Sequence, residues 1–146
     1  MVRPPYPIPR PRHLWQNRPA TAMPKTILIA DDSPTELRIF QQALAPLGHT
    51  ILTAVDGEEA ERMVRRVPPD LLILDVVMPG KTGFALCRDL KRDPGFAGIP
   101  IIIVTSKDQQ ADQIWGRRQG ADEYLVKPFS PEDLVAAVQR LLGSGK

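Results

Sequence analysis

Five side chains able to do chemistry each stand at the end of a short apolar run, and their types fit together. Asp31 and Asp32 follow "TILIA" (26–30), Asp75 closes "DLLILD" (70–75), Thr105 closes "IPIIIVT" (99–105) and Lys127 closes "EYLVK" (123–127). Adjacent carboxylates such as Asp31 and Asp32 raise the cost of each other's ionisation unless a positive charge sits between them. Three carboxylates suit Mg²⁺, a hard ion that takes oxygen ligands, keeps waters and binds phosphate oxygens. An aspartate can also act as a nucleophile and form an aspartyl phosphate; Asp75, at the end of an almost continuously apolar run, is the candidate. Phosphoryl transfer asks mainly for positioning and for neutralisation of spreading negative charge. Mg²⁺, the Lys127 ammonium and the Thr105 hydroxyl would supply this, each facing one phosphoryl oxygen.

Each of these residues also has a plainer role. Aspartate is a common turn residue at a strand end, Thr105 is placed to cap a following helix, and Lys127 suits a solvated surface. Their joint placement, at the ends of successive runs, is what sets them apart.

The elements that must position them are legible from periodicity. With "TILTA" (50–54), the apolar runs number five, and the third and fourth read as strands covered on both faces. Helix-like segments lie at 34–45, 57–66, 83–92, 108–119 and 131–142. In the first, Leu37, Phe40, Ala43 and Leu44 recur at helical spacing. Ser33, Pro34 and Glu36 predict an N-cap, a first-turn proline and a closed capping box, and Ser130-Pro131 repeats the start signal. Strand and helix alternate five times, which predicts a doubly wound α/β fold with a five-stranded parallel sheet. In such sheets functional groups gather beyond the carboxyl ends of the strands.

The 146 residues carry a formal charge of +2, unevenly spread. Arg3, Arg10, Arg12 and Arg18 put +4 into residues 1–24, which hold no acid, leaving −2 for residues 25–146. Residues 1–24 contain seven prolines and no periodicity. They read either as a Pro/Arg-rich disordered extension or as sequence preceding a true start at Met23, with one domain over 25–146. Cys87 is alone among apolar neighbours, which excludes an internal disulfide or a cysteine metal site and favours a buried structural thiol. No apolar run has the length of a membrane span and none resembles a secretory signal, so the expectation is a cytoplasmic protein. The chain stops after its fifth helical segment, so no DNA-binding output domain is expected.

The stretches "ADDSPTELRIF", "PDLLILDVVMPGKTGF", "IPIIIVTSK" and "GADEYLVKPFSPEDL" resemble the receiver domain of bacterial two-component response regulators, the CheY-like family. The resemblance covers residues 25 to about 143. It implies a flavodoxin-like sheet of strand order 2-1-3-4-5 and Asp75 as phosphoacceptor for a histidine kinase or phosphotransfer domain. Mg²⁺ would lie among Asp31, Asp32, Asp75 and the Val77 main-chain carbonyl. A cis bond between Lys127 and Pro128 is implied as well. So is a switch pair of Thr105 and Tyr124, although Tyr124 also suits a plain strand aromatic. A protein partner would read the face made by the fourth helix, fifth strand and fifth helix. Val77 and Lys107 would border the path of the water that hydrolyses the aspartyl phosphate. "DQIWGRRQGA" (112–121) further resembles receiver-only regulators of type IV pilus twitching motility, with Trp115 either a contact anchor or a packed side chain.

The reading is a single-domain response regulator, monomeric or weakly dimeric, that catalyses only its own phosphorylation and dephosphorylation. A phosphate sink draining a shared kinase would need the same site. A phosphohydrolase with an aspartate nucleophile would want alternating acids, Asp-x-Asp, after the first strand. A flavin-binding module would want a Ser/Thr-rich loop where "DDSPTE" stands.

Overall fold

The computed structural model of the chain describes residues 24–106 and 119–143. In chain order these form β1 (Thr26–Ala30), α1 (Pro34–Leu44) with a 3₁₀ turn (Ala45–Leu47), β2 (Thr50–Ala54), α2 (Gly57–Arg66) and β3 (Leu71–Asp75). They continue with α3 (Gly83–Arg92), β4 (Ile101–Ser106), β5 (Glu123–Lys127) and α4 (Pro131–Leu141). The predicted helix at 108–119, with Lys107 and Trp115, lies outside the described residues except for its last position, and so does the extension up to residue 23. Among the described residues no helix is long and apolar enough to cross a membrane.

The five strands make one parallel sheet of order β2-β1-β3-β4-β5, the predicted architecture. Side chains alternate across it. Ile27, Ile29, Leu71, Ile73, Ile102 and Val104 pack against α1 and α4. Leu28, Leu72, Leu74, Ile101 and Ile103 pack with Ala60 of α2 and with Leu86 and Leu90 of α3. Every residue of β3 is buried, as is β4 up to Thr105, which is why these two runs lack polar alternation. Cys87 lies in the second core, and burial pushes its thiol up to about 11, so it is a packing residue.

Local chemistry starts each helix. Ser33, Asp56, Thr82 and Ser130 are N-caps that accept from the backbone N–H of Glu36, Glu59, Ala85 and Asp133; each such cap is worth about 1 kcal/mol. β4 begins at Ile101 rather than at Ile99, because Pro100 has no N–H to give the ladder. Its carbonyl still accepts from Leu72 N–H at 3.0 Å.

One junction bears directly on Asp75. The Gly83 N–H donates to the Val76 carbonyl at 3.1 Å, drawing the start of α3 against the end of β3. A Cβ on Gly83 would collide with the Asp75 carbonyl oxygen and press on Val76 Cα. Backbone on backbone cannot yield as a flexible side chain can. Gly83→Ala is therefore expected to cost about 1–3 kcal/mol in urea denaturation, the range for overpacking a tight site, and to shift the Asp75 amide resonance. An Asp75 amide unmoved by the substitution would contradict this account.

Candidate functional site

Strand register brings the site together. Ile29 pairs with Ile73 across β1 and β3, so Asp31 and Asp75, two residues further on, end the same row. Asp31, Asp75 and Lys127 all carry the alternation parity of the α1/α4 face. Asp31 is 1% exposed, its N–H donates to the Ala54 carbonyl at 3.0 Å, and its Oδ1 accepts from Ser33 N–H at 2.9 Å. Asp75 is likewise buried, whereas Asp32 faces solvent. One carboxylate oxygen from each of Asp31, Asp32 and Asp75 lies within 4.8 Å of the others. This donor set fits a hard divalent cation: all ligands are oxygen, two are held in place by burial, and the exposed third leaves room for retained water.

Lys127, the last residue of β5, reaches into this cluster. Its Nζ lies 3.1 Å from Asp75 Oδ1, 3.2 Å from Glu36 Oε1 and 3.4 Å from Asp31 Oδ2. The Lys127–Pro128 bond is cis, as the resemblance implies. Next in the loop, the Phe129 ring packs on Phe40 of α1 with centroids 5.3 Å apart. Glu36 corrects the expected capping box. Only one arm of the box forms, because the Ser33 N–H is taken by Asp31 and the Glu36 carboxylate is turned to Lys127.

Burial dominates the electrostatics. It pushes the Asp75 carboxyl up to about 6, the Lys127 ammonium opposing and the Asp31 charge adding to the rise. The Asp31 carboxyl is raised by the same cause, against the pull of the Ser33 N–H and of Lys127. For Lys127 burial alone would favour the neutral amine, but the Asp75 and Asp31 charges outweigh it and the ammonium is held more tightly than usual. A single ammonium thus leaves both buried acids short of positive charge.

Thr105 is 2% exposed at the end of β4 and has the opposite parity, on the α2/α3 face with Ile101 and Ile103. Tyr124, the register partner of Ile103, packs against that same core, so Thr105 and Tyr124 share a face of the sheet. Val77 stands on the loop after β3 with 66% of its surface exposed. The site thus gathers Asp31, Asp32, Asp75 and Lys127, with Thr105 beside it; Lys107 is outside the described residues. Sequence reasoning missed Gly83, and it missed Glu36 as a partner of Lys127. A glycine just after the N-cap Thr82 was the available signal for the first. For the second there was none, since local pattern already assigned Glu36 to the cap.

A family model described as "Response regulator receiver domain" matches residues 27–139. Protein PilH of Pseudomonas aeruginosa is 44% identical over 116 residues, covering 80% of this chain and 96% of PilH. The probable transcriptional regulator ycf27 of Cyanophora paradoxa is 42% identical, and there the chain spans only 48% of the relative's length. Among solved structures, a putative response regulator from Chloroflexus aurantiacus superposes with a TM-score of 0.80 at 36% identity, over 82% of this chain and 98% of that one. The chemotaxis response regulator CheY4 of Vibrio cholerae gives 0.75 at 31%, over 82% and 99%. The receiver domain of sensor histidine kinase PA1611 from Pseudomonas aeruginosa, solved with a magnesium ion coordinated in its active site cleft, gives 0.76 at 28%, over 83% and 99%.

The raised pKa of Asp75 sets a pH dependence. A carboxyl that holds its proton more tightly when folded stabilises the protein at low pH and loses that contribution as pH rises from about 4 to about 6. Without metal, Asp75→Asn is expected to be more stable than wild type above pH 6, by up to ~3 kcal/mol. The gap should close toward pH 4, and Mg²⁺ should narrow it at pH 7.5. Urea denaturation in EDTA at several pH values checks this; a gap independent of pH would refute it.

Proposed function

The chain belongs to the response regulator receiver domain family, and from that premise we propose that it is a phosphoacceptor switch whose acceptor is Asp75. Receiver domains are signalling domains rather than enzymes turning over an external substrate. The observation that carries the proposal is the convergence of Asp75 with Asp31, Asp32 and Lys127 at one end of the sheet, the ammonium 3.1 Å from Asp75 Oδ1.

An Asp75 carboxylate oxygen attacks the phosphorus of a phosphohistidine on a kinase or phosphotransfer domain. The new P–O bond forms as the P–N bond breaks, and the departing imidazole nitrogen takes up a proton. Lys127 faces the negative charge spreading over the phosphoryl oxygens, and Thr105 donates its hydroxyl to one of them. Asp31, Asp32, Asp75 and the Val77 carbonyl are the groups that would hold Mg²⁺, whose chemistry there is to neutralise phosphoryl charge and let the clustered acids ionise together. Burial of Asp75 limits the approach of bulk water to the acyl carbon. Hydrolysis needs one water placed in line with phosphorus, and the apolar, exposed Val77 offers that water no hydrogen bond.

Inward movement of Thr105 vacates space on the face it shares with Tyr124, whose ring turns in. The surface of β5 and α4 then changes for a protein partner. Phosphorylation shifts this equilibrium only by its differential interaction with the two states. Likeness to PilH over nearly the whole of that protein, together with "DQIWGRRQGA", supports a place in pilus-linked signalling.

Incubation with acetyl phosphate and Mg²⁺, read by intact mass, is expected to add one phosphoryl group to wild type. Asp75→Asn, or wild type with EDTA, should gain none. An adduct on Asp75→Asn would overturn the assignment of the acceptor. Val77→Asn, which gives the attacking water a polar neighbour, is expected to shorten the phosphoryl lifetime severalfold; a lifetime that barely falls would sink the role given to Val77.

A further inference from the structure

An ammonium has three N–H donors, and Lys127 has three carboxylates around it: Asp75 at 3.1 Å, Glu36 at 3.2 Å and Asp31 at 3.4 Å. The three acceptors are not equivalent. The side chains of Asp31 and Asp75 are 1% and 10% exposed, and each follows or ends a buried strand. That of Glu36 is 34% exposed and projects from the first turn of α1. It is the longest and wettest of the three, and ion pairs this open to water are weak. Lys127 gives up this contact at least cost.

We propose that Glu36 is a positioning residue of the phosphoacceptor site: it tethers Lys127 at the mouth of the acidic cluster and competes with the incoming phosphoryl group for that ammonium. The inference rests on Asp75 being the phosphoacceptor. Helix formation does not need the Glu36 carboxylate, because Ser33 caps α1 and the Ser33 N–H is satisfied by Asp31. A dianionic group on Asp75 comes within reach of the ammonium that Glu36 holds, so the two anions repel while sharing one cation. Asp31 and Asp75 cannot move aside into solvent, whereas Glu36 can. Phosphorylation therefore displaces Glu36 from Lys127, and the resting site is biased against anions until that contact breaks.

The test uses beryllofluoride, which sits on an aspartate as a phosphoryl group does but requires no bond to be transferred. Its affinity, and that of Mg²⁺ alone, would be measured by amide chemical shifts in the full chain for wild type, Glu36→Gln and Glu36→Asp. Glu36→Gln is expected to bind beryllofluoride about fivefold more tightly, equivalent to losing one exposed ion pair, with no gain in Mg²⁺ affinity. Glu36→Asp keeps the helix-terminal charge but shortens the reach, and a gain of similar size is expected. A general electrostatic role predicts instead that Glu36→Asp behaves as wild type, and that result would overturn the contact. Unchanged or weaker binding by Glu36→Gln would overturn competition. Failure of wild type itself to bind beryllofluoride would bring down the phosphoacceptor reading as well, and so is distinguishable from failure of the role of Glu36 alone.

Discussion

The structure turns on one ammonium group set against two acids buried at the end of the sheet. Asp31 and Asp75 are buried side by side at the end of a parallel sheet, where burial makes both harder to ionise and the Asp31 charge adds to the cost at Asp75. Lys127 is the protein's own answer to that cost, and it is an incomplete one, since burial still holds the Asp75 carboxyl up at about 6. A site left short of positive charge is one that welcomes a divalent cation. The same shortage makes the acid cluster unstable to pH and open to regulation by what binds there.

Much of the surrounding fold serves to hold that arrangement against its own repulsion. Parallel pairing of β1 with β3, and of β4 with β5, delivers the acids and the lysine to the same end. The backbone of Asp31 is pinned to β2 through Ala54, and α3 is drawn against β3 at Gly83. From the other side, the Phe40–Phe129 contact fastens the loop after Lys127 to α1, the helix that also carries Glu36. Function and stability pull in opposite directions here, and core packing on both faces of β3 supplies what the acids cost.

Two further aspartates show how position decides the role of a residue type. Asp70 and Asp122 lie at the opposite end of the sheet, before β3 and β5. The Asp70 carboxylate accepts from Thr26 N–H at 2.8 Å, and that of Asp122 accepts from Ile101 N–H at 2.8 Å and pairs with Lys91 at 2.9 Å. Each closes a strand start by taking a backbone donor the ladder leaves over. They brace the sheet, whereas Asp31 and Asp75, at the carboxyl ends, are left with oxygens for chemistry.

Local pattern in the sequence was enough to determine the strands, the described helices with the caps at Ser33 and Ser130, the two-sided burial of β3 and β4, and the acids, hydroxyl and amine at the strand ends. Periodicity and capping are short-range properties, and a parallel sheet converts strand ends into a shared edge with little further information. Only the tertiary structure decided that Glu36 leaves its capping box for Lys127, that Gly83 must lack a Cβ, and that Thr105 and Tyr124 occupy the face opposite to Asp31 and Asp75. Each depends on the register between strands, or on how closely a helix approaches the sheet. Those are set by the packing of residues far apart in the chain, which one-dimensional spacing does not encode.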